Sequence, residues 1–281
     1  MGLRASDAST PLQSAEGEGD RLIHRRSFEW LARGGLVARG VVYGVIGILA
    51  IKLAVGSGGK ATSQQGALQT IAQQSFGKTL LVATAIGLAG YAAWRLLRAA
   101  IGHGTQESDS GFDRVAAAAS GLAYGALCVV AVKILIGARG GGGSGAPSKT
   151  TSGVLGWTGG TVIVALAGGV LMGVALYQGY KGLARKFVEE ANTGRMSPSV
   201  KRAYEALGVF GHLARMVVFG LTGYGLIAAA VEFDPHKAVG LDGALRELAD
   251  ASYGPLLLAV VAAGLTGFGL YSVADARYRK I

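Results

Sequence analysis

A bilayer-length apolar run with a cation near each end, RGVVYGVIGILAIK from Arg39 to Lys52, returns twice along the chain. It recurs as SGLAYGALCVVAVK from Ser120 to Lys133 and as RMVVFGLTGYGLIA from Arg215 to Ala228. In each copy an aromatic residue sits four positions after the start, Tyr43, Tyr124 or Phe219, and is followed at once by Gly44, Gly125 or Gly220. Each run is followed by a second apolar segment, about Thr79 to Leu97, Val154 to Tyr180 and Pro255 to Ala274. There Gly90, Gly173 and Gly267 stand four residues before Trp94, Tyr177 and Tyr271. Internal repeats decide architecture before any local reading does, and a span needs roughly 20 apolar residues. The pattern therefore predicts an all-α, six-helix transmembrane bundle made of three tandem helical hairpins.

Composition agrees: 51% of the 281 residues are hydrophobic, Gly counts 47, and 16% are charged, against about a quarter charged in soluble domains. A net charge of +10 raises a nucleic-acid reading, which the distribution excludes. Most Lys and Arg fall in the segments on one side of the predicted spans, where they set orientation and form no continuous basic face. By the positive-inside rule both termini are cytoplasmic. The three hairpins start from the same side, so they are parallel repeats about an axis along the membrane normal, unlike the inverted repeats of many transporters. The single cysteine, Cys128, permits no disulfide within the chain and no thiolate metal site.

Along the chain, residues 1–20 read as a disordered tail, and residues 21–33 as a basic interfacial helix with Trp30 among its apolar residues. Hairpin repeats follow at 34–101, 112–183 and 207–277, with a basic cytoplasmic connection at 184–206, where Ser197 and Pro198 read as an N-cap and first helical residue. Gly66 to Gly77 is echoed by Gly243 to Gly254. Both are expected as short outer helices with Leu68, Ile71, Leu245 and Leu248 facing protein or the lipid interface. Copy two replaces this element by RGGGGSGAPSKTTSGVLGW, in which Gly143 to Thr150 reads as a flexible linker. Arg39, Lys52, Arg95 and Arg215 are expected to snorkel to the interfaces. The opening MGLRAS matches a myristoylation pattern by coincidence, and no secretory signal is recognisable.

In its Arg-x-x-x-aromatic-Gly starts at Arg39 and Arg215, the segment Leu207 to Gly225, and its Gly-x-x-x-aromatic second spans, the chain from about Leu31 to Arg277 resembles a family of bacterial, particularly actinobacterial, membrane proteins. That family carries tandem paired helices, usually in three copies, and is known only as a domain of unknown function. The resemblance implies a six-helix protein of the bacterial plasma membrane and supplies no catalytic residues. Copy two departs from it by having Ser120 in place of Arg.

Small residues let membrane helices approach, so the stripes Gly40, Gly44, Gly47 and Gly121, Gly125, Cys128, with Met216, Gly220 and Gly223 in copy three, are expected at helix contacts. The functional and packing candidates are Arg39, Tyr43, Gly44, Tyr124, Gly125, Arg215, Phe219, Gly220, Trp94, Tyr177 and Tyr271. GSGAPSKT, Gly143 to Thr150, approaches a phosphate-binding loop but has Ser148 where the second Gly is required. Glu232, Asp234, His236 and Asp242 read as a solvated acidic loop, His212 as an interfacial hydrogen-bonding residue, and His24 and His103 have no suggestive neighbours. No cofactor, metal or catalytic residue is expected. Two classes of function remain. One is a non-catalytic packing or assembly module engaging the bilayer, anionic headgroups on the cytoplasmic side, a membrane-protein partner or a second copy. The other is a small-solute or ion path lined by Arg39, Arg215 and the span aromatics.

Overall fold

In the computed structural model, residues 26–101, 111–137 and 146–280 are described. The N-terminal tail with its myristoylation pattern, His24, His103 and most of the Gly-rich stretch before Ala146 lie outside them. Six long helices are apolar enough to cross a membrane: α1 (Arg26–Ala54), α3 (Gly77–Ile101), α4 (Gly111–Leu135), α6 (Gly160–Leu183), α8 (Pro198–Val231) and α10 (Gly254–Tyr278). Short helices α2 (Gln64–Ala72), α5 (Ala146–Leu155) and α9 (Leu241–Asp250) sit between the two spans of each hairpin, and a single turn, α7 (Lys186–Glu189), follows α6. Large apolar side chains such as Ile86, Leu166, Leu176 and Leu256 are exposed around the outside, the surface a bilayer solvates. The chain is a multi-pass membrane protein.

The basic segment expected as a separate surface helix is, from Arg26 on, the first turns of α1 itself. Arg33 explains the continuity: its Nη1 donates to the carbonyls of Ala276 and Arg277 at 2.6 and 2.9 Å, satisfying the orphan acceptors that end α10. Copy two also corrects the linker expectation, because Ala146 to Leu155 is helical. All three hairpins therefore share one plan, and one glycine per copy shows why. Gly77, Gly160 and Gly254 open the second spans, and a Cβ there would lie 2.3, 1.8 and 1.8 Å from a carbonyl oxygen of the short helix before it. Only glycine permits that turn. In α2 and α9 the apolar face is buried through Leu68, Ile71 and Leu245, with Leu248 half-buried.

The spans form a ring about the repeat axis. Its most extensive interfaces join successive copies, α3 with α4, α6 with α8, and α10 with α1, and hairpins one and three also pack internally, α1 on α3 and α8 on α10. At those two internal crossings Gly35 and Gly211 admit an aromatic backbone: an added Cβ would lie 2.2 Å from Tyr91 Cβ and 2.7 Å from Phe268 Cα. The aligned residues of copy two are Ala116 and Val174. Among the described residues α4 and α6 form no comparable interface, so the ring has a gap within hairpin two.

Glycine stripes serve the contacts between copies, but not at every position. An added Cβ would collide at Gly40 with Gly269 O (2.7 Å), at Gly47 with Thr266 Oγ1 (2.2 Å), at Gly121 with Leu96 (2.7 Å) and at Gly223 with Met172 N (2.9 Å). The middle residues do not fit the expectation. Gly44 has nothing within 4 Å of a Cβ, although its backbone lies at the α10 contact, 2.8 Å from where a Cβ on Gly269 would sit, and Gly125 and Gly220 meet only Ala92 and Ala175 at 4.0 and 3.9 Å. Their side-chain directions fall beside the helix contact, one step round from it.

Candidate functional site

Residues four apart share a helix face, so Arg39 with Tyr43, Ser120 with Tyr124 and Arg215 with Phe219 are each presented together. All six line one cavity of about 500 Å³ on the repeat axis. Tyr91, Arg95 and Arg98 of α3, Tyr177, Gln178 and Lys181 of α6, and Tyr271 of α10 complete the wall, with Glu190, Arg279 and Lys280 from the segments beyond α7 and α10. The cavity thus gathers seven cationic side chains against a single lining carboxylate.

The arginines are stacked on aromatic rings. Phe268 lies between Arg39 and Arg215, 5.1 and 4.5 Å from ring centroid to guanidinium carbon, and Tyr91 lies between Arg39 and Arg95 at 5.6 Å from each. The Tyr91 hydroxyl accepts from both Arg39 and Arg95 at 3.2 Å. Such stacking holds a guanidinium in place while leaving donor edges free.

At the end of the bundle that carries the C-terminus, two carboxylates neutralise part of the charge. Asp275, fully buried, accepts from Arg279 at 2.8 Å and from the Tyr204 hydroxyl at 2.9 Å, and lies 3.5 Å from Arg39. Glu190 pairs with both Lys181 and Arg279. Burial pushes the Glu190 carboxyl up, but Arg279 and Lys181 together outweigh it and hold the group well below the usual carboxylate range. An isolated backbone bridge between Ala191 and Arg279 ties this segment to the residues just beyond α10.

Arg95 and Arg215 are treated differently. Neither has an ion pair within 4.0 Å among the described residues, although Arg95 adds to the positive field on Glu190, and each is held by a neutral oxygen. With the Gln178 amide oriented to face Arg215, its oxygen accepts from Nη1 at 2.7 Å and its nitrogen donates to His212 Nδ1 at 3.1 Å. That leaves His212 Nε2 carrying the proton. His212 is buried, lines the cavity, and its Nε2 has no hydrogen-bond partner among the described residues.

The repeat alignment explains the departure at Ser120. Each junction between copies pairs one first-span position with one second-span position: Arg39 with Ser272, Arg215 with Gln178, and Ser120 with Arg95. Arg39 Nε donates to Ser272 Oγ at 3.1 Å, the counterpart of the Arg215 to Gln178 contact. In the third pair the arginine has moved across the interface. The cavity retains one arginine per junction, Arg39, Arg95 and Arg215.

Of the candidates read from the sequence, Arg39, Tyr43, Tyr124, Tyr177, Arg215, Phe219 and Tyr271 meet at this cavity, while Trp94 packs behind it against Tyr91, 5.5 Å between ring centroids. Gly44, Gly125 and Gly220 are not in the lining. The snorkelling expectation fails for Arg39, which is 6% exposed, and for Arg95 and Arg215, which line the cavity. Lys52 alone of the four is exposed. His212 is likewise interior. Arg95, Lys181, Gln178 and Glu190 were missed as site residues, although alignment of the second spans places Arg95, Gln178 and Ser272 in register. Between α8 and α9, Glu232 pairs with Lys237 and Asp234 caps a short turn through His236 N at 2.9 Å, and Asp242 in the first turn of α9 is buried. Among the described residues no three His, Cys, Asp or Glu side chains group as metal ligands.

The family Domain of Unknown Function (DUF1206) matches this chain three times in tandem, at residues 34–102, 115–185 and 210–279. The chain belongs to the DUF1206 family. The three matches coincide with the three hairpins. An uncharacterized protein of Bacillus subtilis (strain 168), YxxB, is 33% identical over 267 residues, covering 92% of this chain and 95% of its own length. No solved structure matches. Membership of DUF1206 thus fixes the repeat and leaves the chemistry to the cavity.

Proposed function

We propose that this protein is a non-catalytic, multi-pass protein of the bacterial plasma membrane, with both termini cytoplasmic, that binds an anionic group in the central cavity. The observation that carries this is the pair Arg95 and Arg215, interior cations held by neutral oxygens within apolar spans. A charge without a close carboxylate there is expensive, and an anion in the cavity that both arginines line would offset that expense. The unpartnered His212 Nε2 adds a donor directed at the same need, and a volume near 500 Å³ is that of an organic ligand site. The uneven distribution of Lys and Arg supports the orientation, and the Bacillus relative supports the location. A thermal-shift titration of detergent-solubilised protein with inorganic phosphate, glycerol phosphate and anionic phospholipid tests the proposal. At least one anion should raise the melting temperature of wild type and not of Arg95→Gln/Arg215→Gln. If none does, the reading fails.

A second reading, passage of a solute, is favoured by one observation. At the other end of the bundle a cavity of about 410 Å³ is lined by the first residues of α2, α5 and α9, including Gln64, Pro147 and Leu241, and it shares Gln64 and Leu127 with the central cavity. Anion flux into proteoliposomes, abolished by Arg39→Ala with Arg215→Ala, would establish it; no flux from folded wild type would exclude it.

A further inference from the structure

We infer that the anion is the phosphate headgroup of a membrane lipid from the terminus-side leaflet, drawn in sideways through the gap between α4 and α6. This rests on the reading of the cavity as an anion site and adds the ligand class and its route.

The route is set by the open hairpin. Ala119 and Ala123 of α4 and Val170 of α6 are exposed and line the cavity, and no comparable interface joins these two helices among the described residues, so we take these side chains as the two jambs of a lateral opening. Repeat two is also the most peripheral: 11% and 22% of the α4 and α6 spans are buried, against 33% for α8, 50% for α1 and α3 and 56% for α10. The jambs are alkyl, whereas the inner wall is cationic. That polarity, charge inside and hydrocarbon at the door, suits a molecule with an anionic head and acyl chains that remain in the bilayer. A soluble anion would gain nothing from an apolar slot facing lipid. Entry from the terminus-side end is crossed by the Lys181–Glu190–Arg279 pairs and the Ala191–Arg279 bridge.

Depth agrees. Arg39 and Lys52 lie on one helix, about 20 Å apart at 1.5 Å per residue. With Lys52 at one interface of a core about 30 Å thick, Arg39 stands within about 10 Å of the other. A headgroup of that leaflet has only that distance to descend, and its chains keep their place.

The test compares phosphatidylglycerol, phosphatidylcholine and glycerol phosphate as stabilisers of wild type, Arg95→Gln/Arg215→Gln and Ala123→Trp/Val170→Trp, whose bulky rings fill the slot while every cationic side chain is kept. Native mass spectrometry of wild type counts the retained lipid directly. Phosphatidylglycerol should be retained and should stabilise wild type, with at least tenfold weaker apparent affinity in both variants, whereas phosphatidylcholine and glycerol phosphate have little effect. If glycerol phosphate stabilises as well as the lipid, or the slot variant binds lipid like wild type, the lateral lipid site is wrong and the anion site stands. If no anion distinguishes wild type from the arginine variant and no phospholipid is retained, both fall.

Discussion

Gly35→Ala and Gly44→Ala, one and the same chemical change nine residues apart on α1, should have opposite effects. At Gly35 the new Cβ would lie 2.2 Å from Tyr91 Cβ and 2.6 Å from the Gly87 carbonyl oxygen. Both neighbours are fixed to the α3 backbone, so neither can rotate away. Restoring an ordinary carbon contact of 3.5–4.0 Å requires α1 and α3 to part by about 1.5 Å. Overpacking of this kind costs about 1–3 kcal/mol, against a gain of up to about 1 kcal/mol from replacing glycine by alanine within a helix. At Gly44 nothing lies within 4 Å, and only the gain remains. Thermal melts in detergent should place Gly35→Ala below wild type and Gly44→Ala at or above it. Because Tyr91 holds Arg39 and Arg95 through its hydroxyl, Gly35→Ala should also weaken anion binding. A Gly35→Ala protein that melts with wild type, or a Gly44→Ala protein that melts well below it, would refute the argument that the internal crossing, and not the middle of the stripe, requires glycine.

Asp275→Asn leaves Arg39 and Arg279 without their shared carboxylate, so it should destabilise by about 3 kcal/mol yet raise anion affinity, a pair of opposite shifts read by melting and titration. Moving the third arginine across its interface tests the junction rule: Arg95→Ser should lose anion binding, and Arg95→Ser with Ser120→Arg should regain it. A cysteine placed at Lys186 in a Cys128→Ser background should resist impermeant thiol reagents in intact cells; labelling from outside would reverse the proposed orientation.

Much of this molecule is legible in the sequence, because the repeat fixes helix number and register at once. Tyr43, Tyr124 and Phe219 converge on one cavity for the reason that they align: equivalent positions in three copies about an axis face that axis together. What was not legible depends on neighbours that no single run contains. Arg39 looks like a snorkelling residue beside an interface, since nothing in RGVVYG reports that Tyr91, Phe268 and Asp275 surround it. Gly44 looks like a glycine that needs its missing side chain, yet only its backbone meets Gly269 of α10, and it is at Gly40 and Gly47 that a Cβ would collide with that helix. Helix α5 was hidden because Ala146 to Leu155 carries little apolar periodicity and follows a glycine run, while the constraint that reveals it, Gly160 closing on Val154 O, is a distance.

The divergence of copy two has one economical account. A ring of three identical hairpins would close at all three internal crossings, as Gly35 and Gly211 close the first and third, and would enclose its arginines without lateral access. Hairpin two carries Ala116 and Val174 at the crossing and leaves α4 and α6 apart. If that opening were merely relaxed packing, the charge at the adjoining junction would be free to be absent, and Ser120, where copies one and three have Arg39 and Arg215, would lower the count of interior cations. Instead Arg95 restores it from the facing helix, at the position held by Gln178 and Ser272 in the other copies. The arginine is kept while its address changes, and the new address removes it from α4, one wall of the gap, to α3 behind it. A cation on α4 beside the opening would have to be desolvated against lipid whenever the slot is empty; on α3 it keeps the Tyr91 hydroxyl and two aromatic rings. Loss of closure and displacement of charge are thus two halves of one arrangement, an open door with its positive charge set back from the threshold.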